Sequence, residues 1–232
     1  MVDSNQYFDG YIKAVTNPLP ELKETFEKEM EFLARLIDKN DHQDFLDVGC
    51  GNGRTIFSLV SRIGEYYCYG FDINQRMIDE ALKQKSKYDV RNQCGGLEIS
   101  LWLNFFAGDA THWNTCEAER FDLVYSGYNL IGSVNEDERG NIISNKSYWC
   151  ARKGQVITTG WKQDDETAKF LEKYYTSIGF KDINVSKEKS IVDGMTFYRV
   201  LLDEIVELYR ANNLKNIEVH DIGLWNAVVG RK

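Results

Sequence analysis

The sequence predicts an α/β protein with a doubly wound, mostly parallel sheet, and three observations support this fold class. Short apolar runs typical of buried strands alternate with stretches in which apolar residues recur at helical spacing. A glycine-rich segment, residues 47–54 (Asp-Val-Gly-Cys-Gly-Asn-Gly-Arg), separates the first apolar run from a helix-like stretch. Acidic residues, Asp72 and Asp109, follow the next two apolar runs. Because parallel strands present their carboxyl ends at one edge of a sheet, these features are expected to lie close together.

Length, charge and cysteine usage restrict the class of protein. The chain has 232 residues, of which 43% are hydrophobic, and this suits one packed domain. Its 28 basic and 36 acidic residues give a net charge of −8, which argues against a broad nucleic-acid-binding face. No apolar run reaches the ~18–20 residues of a membrane span, and the polar first residues do not resemble a signal peptide. The five cysteines form no C-x-x-C pair and the three histidines have no metal-ligand spacing, so we expect a cytoplasmic protein without a metal.

The N-terminal segment, residues 1–40, is predicted to contain one helix. Apolar residues keep helical spacing between residues 21 and 38, and Pro20 precedes them at a position that favours a helix start. Tyr11 lies in an aromatic segment ahead of this helix, together with Tyr7 and Phe8. That aromatic segment has two interpretations, a frayed terminus or a lid that closes over a ligand.

The core, residues 42–186, is expected to contain six strands and four helices. The strands are assigned to 45–48, 66–72, 101–107, 121–125, 155–161 and 182–185, and the helices to 54–63, 75–87, 136–150 and 168–178. Residues 88–100 are interpreted as a surface loop, and Lys153-Gly154 as the end of the third helix.

The C-terminal part is predicted to contain an insertion, residues 187–216, before the final strand. Residues 197–210 are helical in period, although 197–202 also suits a strand. The apolar run 224–229 supplies the seventh strand, within residues 217–232. Arg199 has two interpretations, a ligand for an anionic group or a surface ion pair. The whole chain, residues 1–232, is therefore expected to be a single domain.

The glycine spacing distinguishes between two cofactor classes. Gly49 and Gly51 fit the dinucleotide fingerprint G-x-G-x-x-G/A, but its third position falls on Arg54, and the third glycine comes one place earlier, at Gly53. With Asp72 after the next strand, the segment resembles motif I of the class I S-adenosylmethionine-dependent methyltransferases. This resemblance implies a seven-stranded sheet of order 3-2-1-4-5-7-6, with strand seven antiparallel. It also implies S-adenosyl-L-methionine as the cofactor.

The same resemblance implies which residues bind the cofactor. The glycine loop would pass under the methionine part, Asp72 would accept both ribose hydroxyls, and Asp109 would accept the adenine amino group. Asp109 also suits a turn cap, and Met77 also suits core packing. Trp113 either stacks on the adenine or belongs to the core. The complete predicted set is Asp47, Gly49, Cys50, Gly51, Gly53, Asp72, Ile73, Met77, Asp109, Ala110 and Ser126.

The loop after the fourth strand, residues 126–132, is the expected acceptor side of the site. The sequence Phe-Asp-Leu-Val at 121–124 resembles the next landmark of the methyltransferase family. The loop is not of the N-P-P-Y type found in amino methyltransferases that act on nucleic-acid bases and protein glutamine. The substrate-binding candidates are Tyr128 and Asn129 of this loop and Tyr11 of the N-terminal aromatic segment. Asn129 equally suits a structural role, in which it holds the loop through backbone bonds. We predict a small-molecule acceptor.

Methyl transfer from a sulfonium requires mainly positioning and the exclusion of water, so the sequence identifies no catalytic residue. A base is required only where the acceptor loses a proton, and its candidates are Tyr128, His112, Glu136, Asp137 and Glu138. Two alternatives remain: a cofactor-binding protein without transfer activity, and a nicotinamide-dependent dehydrogenase. The position of Arg54 and the triplet Gly108-Asp109-Ala110 argue against the dehydrogenase.

Overall fold

The computed structural model describes residues 18–37, 44–63, 67–93 and 103–232, together with the single positions 12 and 16. Its helices are α1 (Pro20–Leu36), α2 (Arg54–Ile63), α3 (Gln75–Gln93), α4 (Glu136–Trp149), α5 (Asp165–Ser177) and α6 (Leu202–Ala211). Its strands are β1 (Asp44–Val48), β2 (Tyr67–Asp72), β3 (Leu103–Ala107), β4 (Phe121–Ser126), β5 (Cys150–Trp161), β6 (Ile183–Val185), β7 (Lys189–Val192), β8 (Met195–Tyr198), β9 (Lys215–Ile222) and β10 (Trp225–Arg231).

The main sheet has seven strands in the order β3-β2-β1-β4-β5-β10-β9. Neighbouring strands from β3 to β5 are parallel, and β10 is antiparallel to both β5 and β9. The strand order therefore reverses between β1 and β4, which is where open α/β sheets bind ligands. The predicted fold class is confirmed, including the antiparallel strand inserted next to β5.

Helices cover both faces of this sheet. On one face, apolar residues of α1, α2, α3 and α5 pack with the aromatic side chains of β5 and β10. On the other face, residues of α4 and α6 pack against β1, β4 and β10. Trp225 and Trp149, one in each of these cores, are completely buried. The burial of both faces explains why the strands of the sheet are nearly continuous apolar runs.

A second sheet corrects the assignment of the C-terminal strands. The segment 183–185, expected in the main sheet, is β6 and pairs antiparallel with β7, which pairs in turn with β8. The sixth strand of the main sheet is β9, which sequence periodicity did not identify. Most of its residues are at least partly exposed, because β9 lies at the sheet edge. The predicted insertion, residues 187–216, is therefore not a separate segment that precedes the final strand. Its residues belong to the small sheet, to α6 and to the start of β9.

Two further boundaries differ from expectation. Helix α3 continues to Gln93, so the loop expected at 88–100 does not begin at residue 88. Helix α4 ends at Trp149 and β5 begins at the next residue, so Lys153-Gly154 does not end a helix. Lys153 has a positive φ of 71°, at a place where the pairing of β4 with β5 is irregular. A left-handed residue followed by glycine here marks a bulge in a strand, which from sequence resembles a helix end.

Several sequence-based expectations lie outside the described residues. They concern Tyr11 and the aromatic segment around it, and most of the loop after α3. Helix α1 itself begins at Pro20 as expected, with Leu22, Phe26, Met30 and Leu33 buried.

Candidate functional site

The glycine loop after β1 turns sharply because three of its residues have positive φ. Gly49, Gly51 and Gly53 have φ values of 73°, 55° and 79°. The amides of Gly49 and Cys50 both donate to the Phe71 carbonyl at 2.9 Å, which fixes the loop to the end of β2. A Cβ atom on Gly53 would lie 2.9 Å from the Phe105 ring, and one on Gly49 would lie 3.0 Å from Leu130 Cδ1. Glycine is therefore required here by both backbone angle and space.

Asp72 connects the glycine loop to the end of β2. Its Oδ2 accepts from the Gly51 amide at 3.0 Å, and its Oδ1 accepts from the Asn74 amide at 2.9 Å. Burial raises the pKa of this carboxyl, and the two amide hydrogen bonds oppose that rise. A carboxylate oxygen can accept more than one hydrogen bond, so both oxygens of Asp72 can still accept a hydrogen bond from a ligand.

Asp109, at the end of β3, forms the turn that the alternative interpretation predicted. Its Oδ1 accepts from the amide and the hydroxyl of Thr111, at 2.8 and 2.7 Å. Its Oδ2 lies 3.0 Å from His112 Nδ1. Burial pushes the pKa of Asp109 upward, but the bonds from Thr111 and the nearby His112 outweigh it, so the pKa lies below its ordinary value. The next residue, Ala110, accepts from the buried amide of Asn145 through its carbonyl, at 2.9 Å.

These loops line a cleft at the carboxyl edge of the sheet, with a cavity volume of about 80 Å³. That volume is below the roughly 300–1,000 Å³ of small-molecule sites, so the cleft encloses only part of a ligand of that size. Ile73 borders the cleft and is 74% exposed, so its apolar side chain is available to a ligand. The lining residues are Gly49, Phe71, Asp72, Ile73, Gly108, Asp109, Ala110, Thr111, Leu130, Val134 and Ile142.

The structure does not bring every predicted cofactor residue to this cleft. Met77 is 5% exposed and does not line the cleft, in agreement with its alternative interpretation. Ser126 is buried, and its hydroxyl accepts from Lys146 Nζ at 2.6 Å. Cys50 is buried in the loop, and burial raises its thiol pKa, so it does not resemble a reactive nucleophile. Trp113 is 63% exposed and contacts Tyr148, so it belongs to neither the core nor the cleft lining.

A buried charge cluster next to the glycine loop was not identified from the sequence. Glu29 of α1 is completely buried and forms an ion pair with Arg54, with Oε2 and Nη2 2.9 Å apart. The Tyr125 hydroxyl donates to the other oxygen of Glu29. Asp47 is 2% exposed, and its Oδ2 has no hydrogen-bond partner among the described residues. The sequence contained one signal of this cluster, because Glu29 falls on the apolar face of α1, between Phe26 and Met30.

The acceptor loop contacts the small sheet. Tyr128 and Asn129 both have left-handed backbones, with φ values of 52° and 63°. The Tyr128 hydroxyl lies 2.6 Å from the Tyr174 hydroxyl, and its ring packs on Trp225. The Asn129 side-chain amide donates to the Tyr198 carbonyl at 2.9 Å, at the end of β8. This hydrogen bond corresponds to the structural alternative for Asn129. It joins the loop to β8, however, and does not lie within the loop itself.

Arg199 follows neither of its two interpretations. It is 2% exposed, so it forms no surface ion pair. Its guanidinium donates to the carbonyls of Lys187 and Lys189 and to the Ser190 hydroxyl, at 2.5, 3.0 and 2.9 Å. Arg199 therefore links the end of β8 to β7 and to the turn that precedes β7.

The acidic base candidates lie at the start of α4. Glu138 accepts from the Asn135 amide at 3.0 Å and so caps the helix. His112 lies beside Asp109, which lines the cleft. In the part of the chain that the structure describes, no three His, Cys, Asp or Glu side chains form a metal-binding group. No helix over the same residues is long and apolar enough to span a membrane.

Comparison with known proteins agrees with this geometry. Residues 45–154 match the family model described as "Methyltransferase domain". Aklanonic acid methyltransferase DauC of Streptomyces sp. (strain C5) is 31% identical over 131 residues, and the match covers 53% of this chain. The chain spans about half the length of that relative, 54%. Carboxy-S-adenosyl-L-methionine synthase 1 of Yersinia pseudotuberculosis serotype IB (strain PB1/+) is 24% identical, over 75% of this chain and 71% of its own length.

Solved structures share the fold. PH0226 protein from Pyrococcus horikoshii OT3 superposes with a TM-score of 0.69 at 15% identity, over 94% of this chain and 95% of that protein. Magnesium protoporphyrin IX methyltransferase from Synechocystis PCC 6803, solved with bound SAH, gives a TM-score of 0.62 at 14% identity, over 91% and 84%. The chain therefore has the class I methyltransferase fold, and residues 45–154 match the family model of a methyltransferase domain.

Proposed function

We propose that this protein is a methyltransferase that uses S-adenosyl-L-methionine and acts on a small-molecule acceptor. The observation on which this depends is the convergence of the glycine loop, Asp72 and the Asp109 turn around one cleft. The parallel strands β1, β2 and β3 bring these groups to one edge of the sheet.

The residues of the cleft fit the proposed cofactor. The absence of a Cβ atom on Gly49 lets Leu130 of the loop 127–132 lie directly against the glycine-loop backbone, and both residues line the cleft. Asp72 offers carboxylate oxygens to paired hydroxyls, and exposed Ile73 offers an apolar surface to a flat ring. Asp109 and Ala110 border the same cleft.

The cofactor supplies an activated methyl group on a positively charged sulfur. The protein supplies position and the exclusion of water, which account for much of the acceleration in such displacements. The loop 127–132 follows the central strand β4 and lies against the glycine loop through Leu130. We place the acceptor at this loop, near Tyr128. Its hydroxyl lies 2.6 Å from that of Tyr174, and this hydrogen bond holds the Tyr128 side chain in place.

The relatives support a small acceptor. The Streptomyces relative is named for aklanonic acid and the Synechocystis structure for magnesium protoporphyrin IX, both small molecules. The Yersinia relative is named as a synthase of carboxy-S-adenosyl-L-methionine, so a product assay must also examine the cofactor itself. A cytoplasmic location and the absence of nucleic-acid partners stay predictions from composition.

Asp72→Ala tests the proposed cofactor site. We expect its affinity for S-adenosylhomocysteine to fall by at least ~1.5 kcal/mol, or about tenfold, because a charged hydrogen-bond partner is lost. Isothermal titration calorimetry with S-adenosylmethionine, S-adenosylhomocysteine and NAD measures this directly. Asp221→Ala is the control, since Asp221 also accepts a backbone amide, that of Gly223 at 3.1 Å, in the distant β9–β10 turn.

The outcomes of this titration differ for each alternative function. Binding of NAD but of neither sulfur compound would favour the dehydrogenase. Binding of the sulfur compounds without turnover of any acceptor would favour a non-catalytic binding protein. Equal affinity of Asp72→Ala and the wild-type protein would remove Asp72 from the site.

A further inference from the structure

Asn145 is a buried polar residue in the interior of helix α4. The helix runs from Glu136 to Trp149, so Asn145 is not at either end, and it is 7% exposed. Asparagine is a poor helix former, because its side chain competes for backbone hydrogen bonds. Neither helix propensity nor apolar packing accounts for asparagine at this position. Its tertiary contact does, since its Nδ2 group donates to the Ala110 carbonyl at 2.9 Å.

This hydrogen bond fixes one peptide group in the wall of the cleft. The peptide group that joins Ala110 to Thr111 is planar, so its carbonyl and its amide move together. Its carbonyl accepts from Asn145, and its amide donates to Asp109 Oδ1 at 2.8 Å. Asp109, Ala110 and Thr111 all line the cleft. Asn145 therefore acts on the Asp109 carboxylate through a single rigid unit.

The same face of α4 also holds the next part of this segment. Trp149, one helical turn after Asn145, donates through Nε1 to the Trp113 carbonyl at 2.8 Å. Within the segment, the Thr115 hydroxyl donates to the Asp109 carbonyl at 2.7 Å. Helix α4 thus fixes this wall at two points. Of these two bonds, the one from Asn145 reaches a residue that lines the cleft.

The two oxygens of the Asp109 carboxylate have different surroundings. Oδ1 accepts from both the amide and the hydroxyl of Thr111, whereas Oδ2 has His112 Nδ1 as its neighbour at 3.0 Å. A carboxylate oxygen can accept more than one hydrogen bond, so Oδ2 can also accept from an N–H group of a ligand. Exposed Ile73 lines the same cleft and offers an apolar surface to a flat ring. Together these groups suit the edge and the face of a base that carries an amino group.

We propose that Asn145 is a positioning residue that makes the cleft selective for the amino group of adenine. This inference rests on the proposed function, because the base belongs to the proposed cofactor. Asn145 does not line the cleft; its bond to Ala110 fixes the peptide group that orients Asp109. A carboxylate held in one orientation favours an amino group, which donates, over a carbonyl oxygen, which only accepts. Without the bond, the peptide group can rotate and the Asp109 carboxylate loses this orientation.

Two pairs of ligands and one substitution test this proposal. S-adenosylhomocysteine and S-inosylhomocysteine differ in the base, which carries an amino group in the first and a carbonyl oxygen in the second. S-adenosylhomocysteine and methylthioadenosine share the base and the ribose and differ at the amino-acid end. In Asn145→Ala, we expect the first affinity ratio to fall roughly three- to tenfold, the size of one hydrogen bond, and the second to stay within about twofold of wild type. Calorimetry measures all three dissociation constants.

The matched control is Asn141→Ala. Asn141 lies one turn earlier on α4 and is exposed, so this change has the same effect on helix propensity and leaves the bond to Ala110 in place. Both affinity ratios should equal those of wild type. If Asn145→Ala does not fold, Asn145→Asp replaces it. This variant keeps the shape of the side chain, and its ionised carboxylate has no donor for Ala110, so it should also lower the first ratio.

The opposite results are equally specific. A first ratio within about twofold of wild type in Asn145→Ala would overturn the proposal, because Asp109 would then not depend on this bond. Equal losses in both ratios would also overturn it, since they would show a general loosening of the site. Wild-type protein that binds the adenosyl and inosyl compounds equally would overturn it and leave the proposed function standing. Wild-type protein that binds none of the three ligands would instead refute the proposed function.

Discussion

The glycine-loop edge of the main sheet and the small β6–β7–β8 sheet are stabilised by different kinds of contact. At the glycine loop, backbone amides donate the hydrogen bonds, as those of Gly51 and Asn74 do to the Asp72 carboxylate. In the small sheet, a single buried guanidinium, that of Arg199, bonds to two carbonyls and a hydroxyl. The loop 127–132 lies between the two regions and contacts both, through Leu130 and Asn129.

This difference separates two functions within one domain. The glycine-loop edge depends on backbone geometry that few sequences adopt, so it suits a constant ligand such as a cofactor. The small sheet depends on side-chain contacts that can change without disturbing the main sheet. We therefore infer that cofactor binding and acceptor selection respond separately to mutation, and three substitutions test this separation.

Arg199→Met has the largest expected effect. It removes a buried guanidinium and with it the hydrogen bonds to the Lys187 carbonyl and the Ser190 hydroxyl, which should cost about 3 kcal/mol of unfolding free energy. Denaturant unfolding measures the loss. Arg210→Met is the control, because the Arg210 side chain is 63% exposed in its pair with Glu207. Cofactor affinity should change little in folded protein; a tenfold loss would contradict the independence of the two regions.

Asp47→Asn should stabilise the protein in a pH-dependent way. The folded-state pKa of about 8 exceeds the ordinary value of 3.8, so stability from this group is complete below pH 3.8 and is lost as the pH rises toward 8. Asparagine has no ionised form and avoids this loss. We expect a gain in stability that is larger at pH 8 than at pH 5, measured by thermal unfolding. An equal gain at both pH values would show that ionisation of Asp47 is not the cause.

Asn129→Ala has the smallest expected effect on stability. It removes the bond to Tyr198 and places alanine in a left-handed backbone, at a cost of about 1–2 kcal/mol. Asn213→Ala is the control, because Asn213 is exposed and has a similar φ of 60°. Relative to that control, Asn129→Ala should raise the KM for the acceptor several-fold and leave the Kd of S-adenosylhomocysteine unchanged. If the substitution weakens only cofactor binding, Asn129 belongs to the cofactor side of the site and not to the acceptor side.

The amino-acid sequence by itself determined the fold class, and its resemblance to the methyltransferase family implied the strand order. It also determined the glycine loop and the two acidic positions after β2 and β3. These features depend on local chemistry: glycine at positive φ, apolar runs for buried strands, and a carboxylate placed where a strand ends. The turn formed by Asp109 was also predictable, because Asp bonds to backbone and hydroxyl groups two residues ahead.

Only the tertiary structure decided which distant residues meet. Helical periodicity shows that Glu29 faces the core, but its pairing with Arg54 and Tyr125 depends on how α1 packs across β1 and β4. The same applies to Arg199, whose acceptors lie 9–12 residues away across a turn, and to β9, whose mostly exposed edge position removes the apolar pattern of a strand. Sequence patterns report the burial of each residue, whereas the partners of a buried charge are set by the arrangement of whole elements.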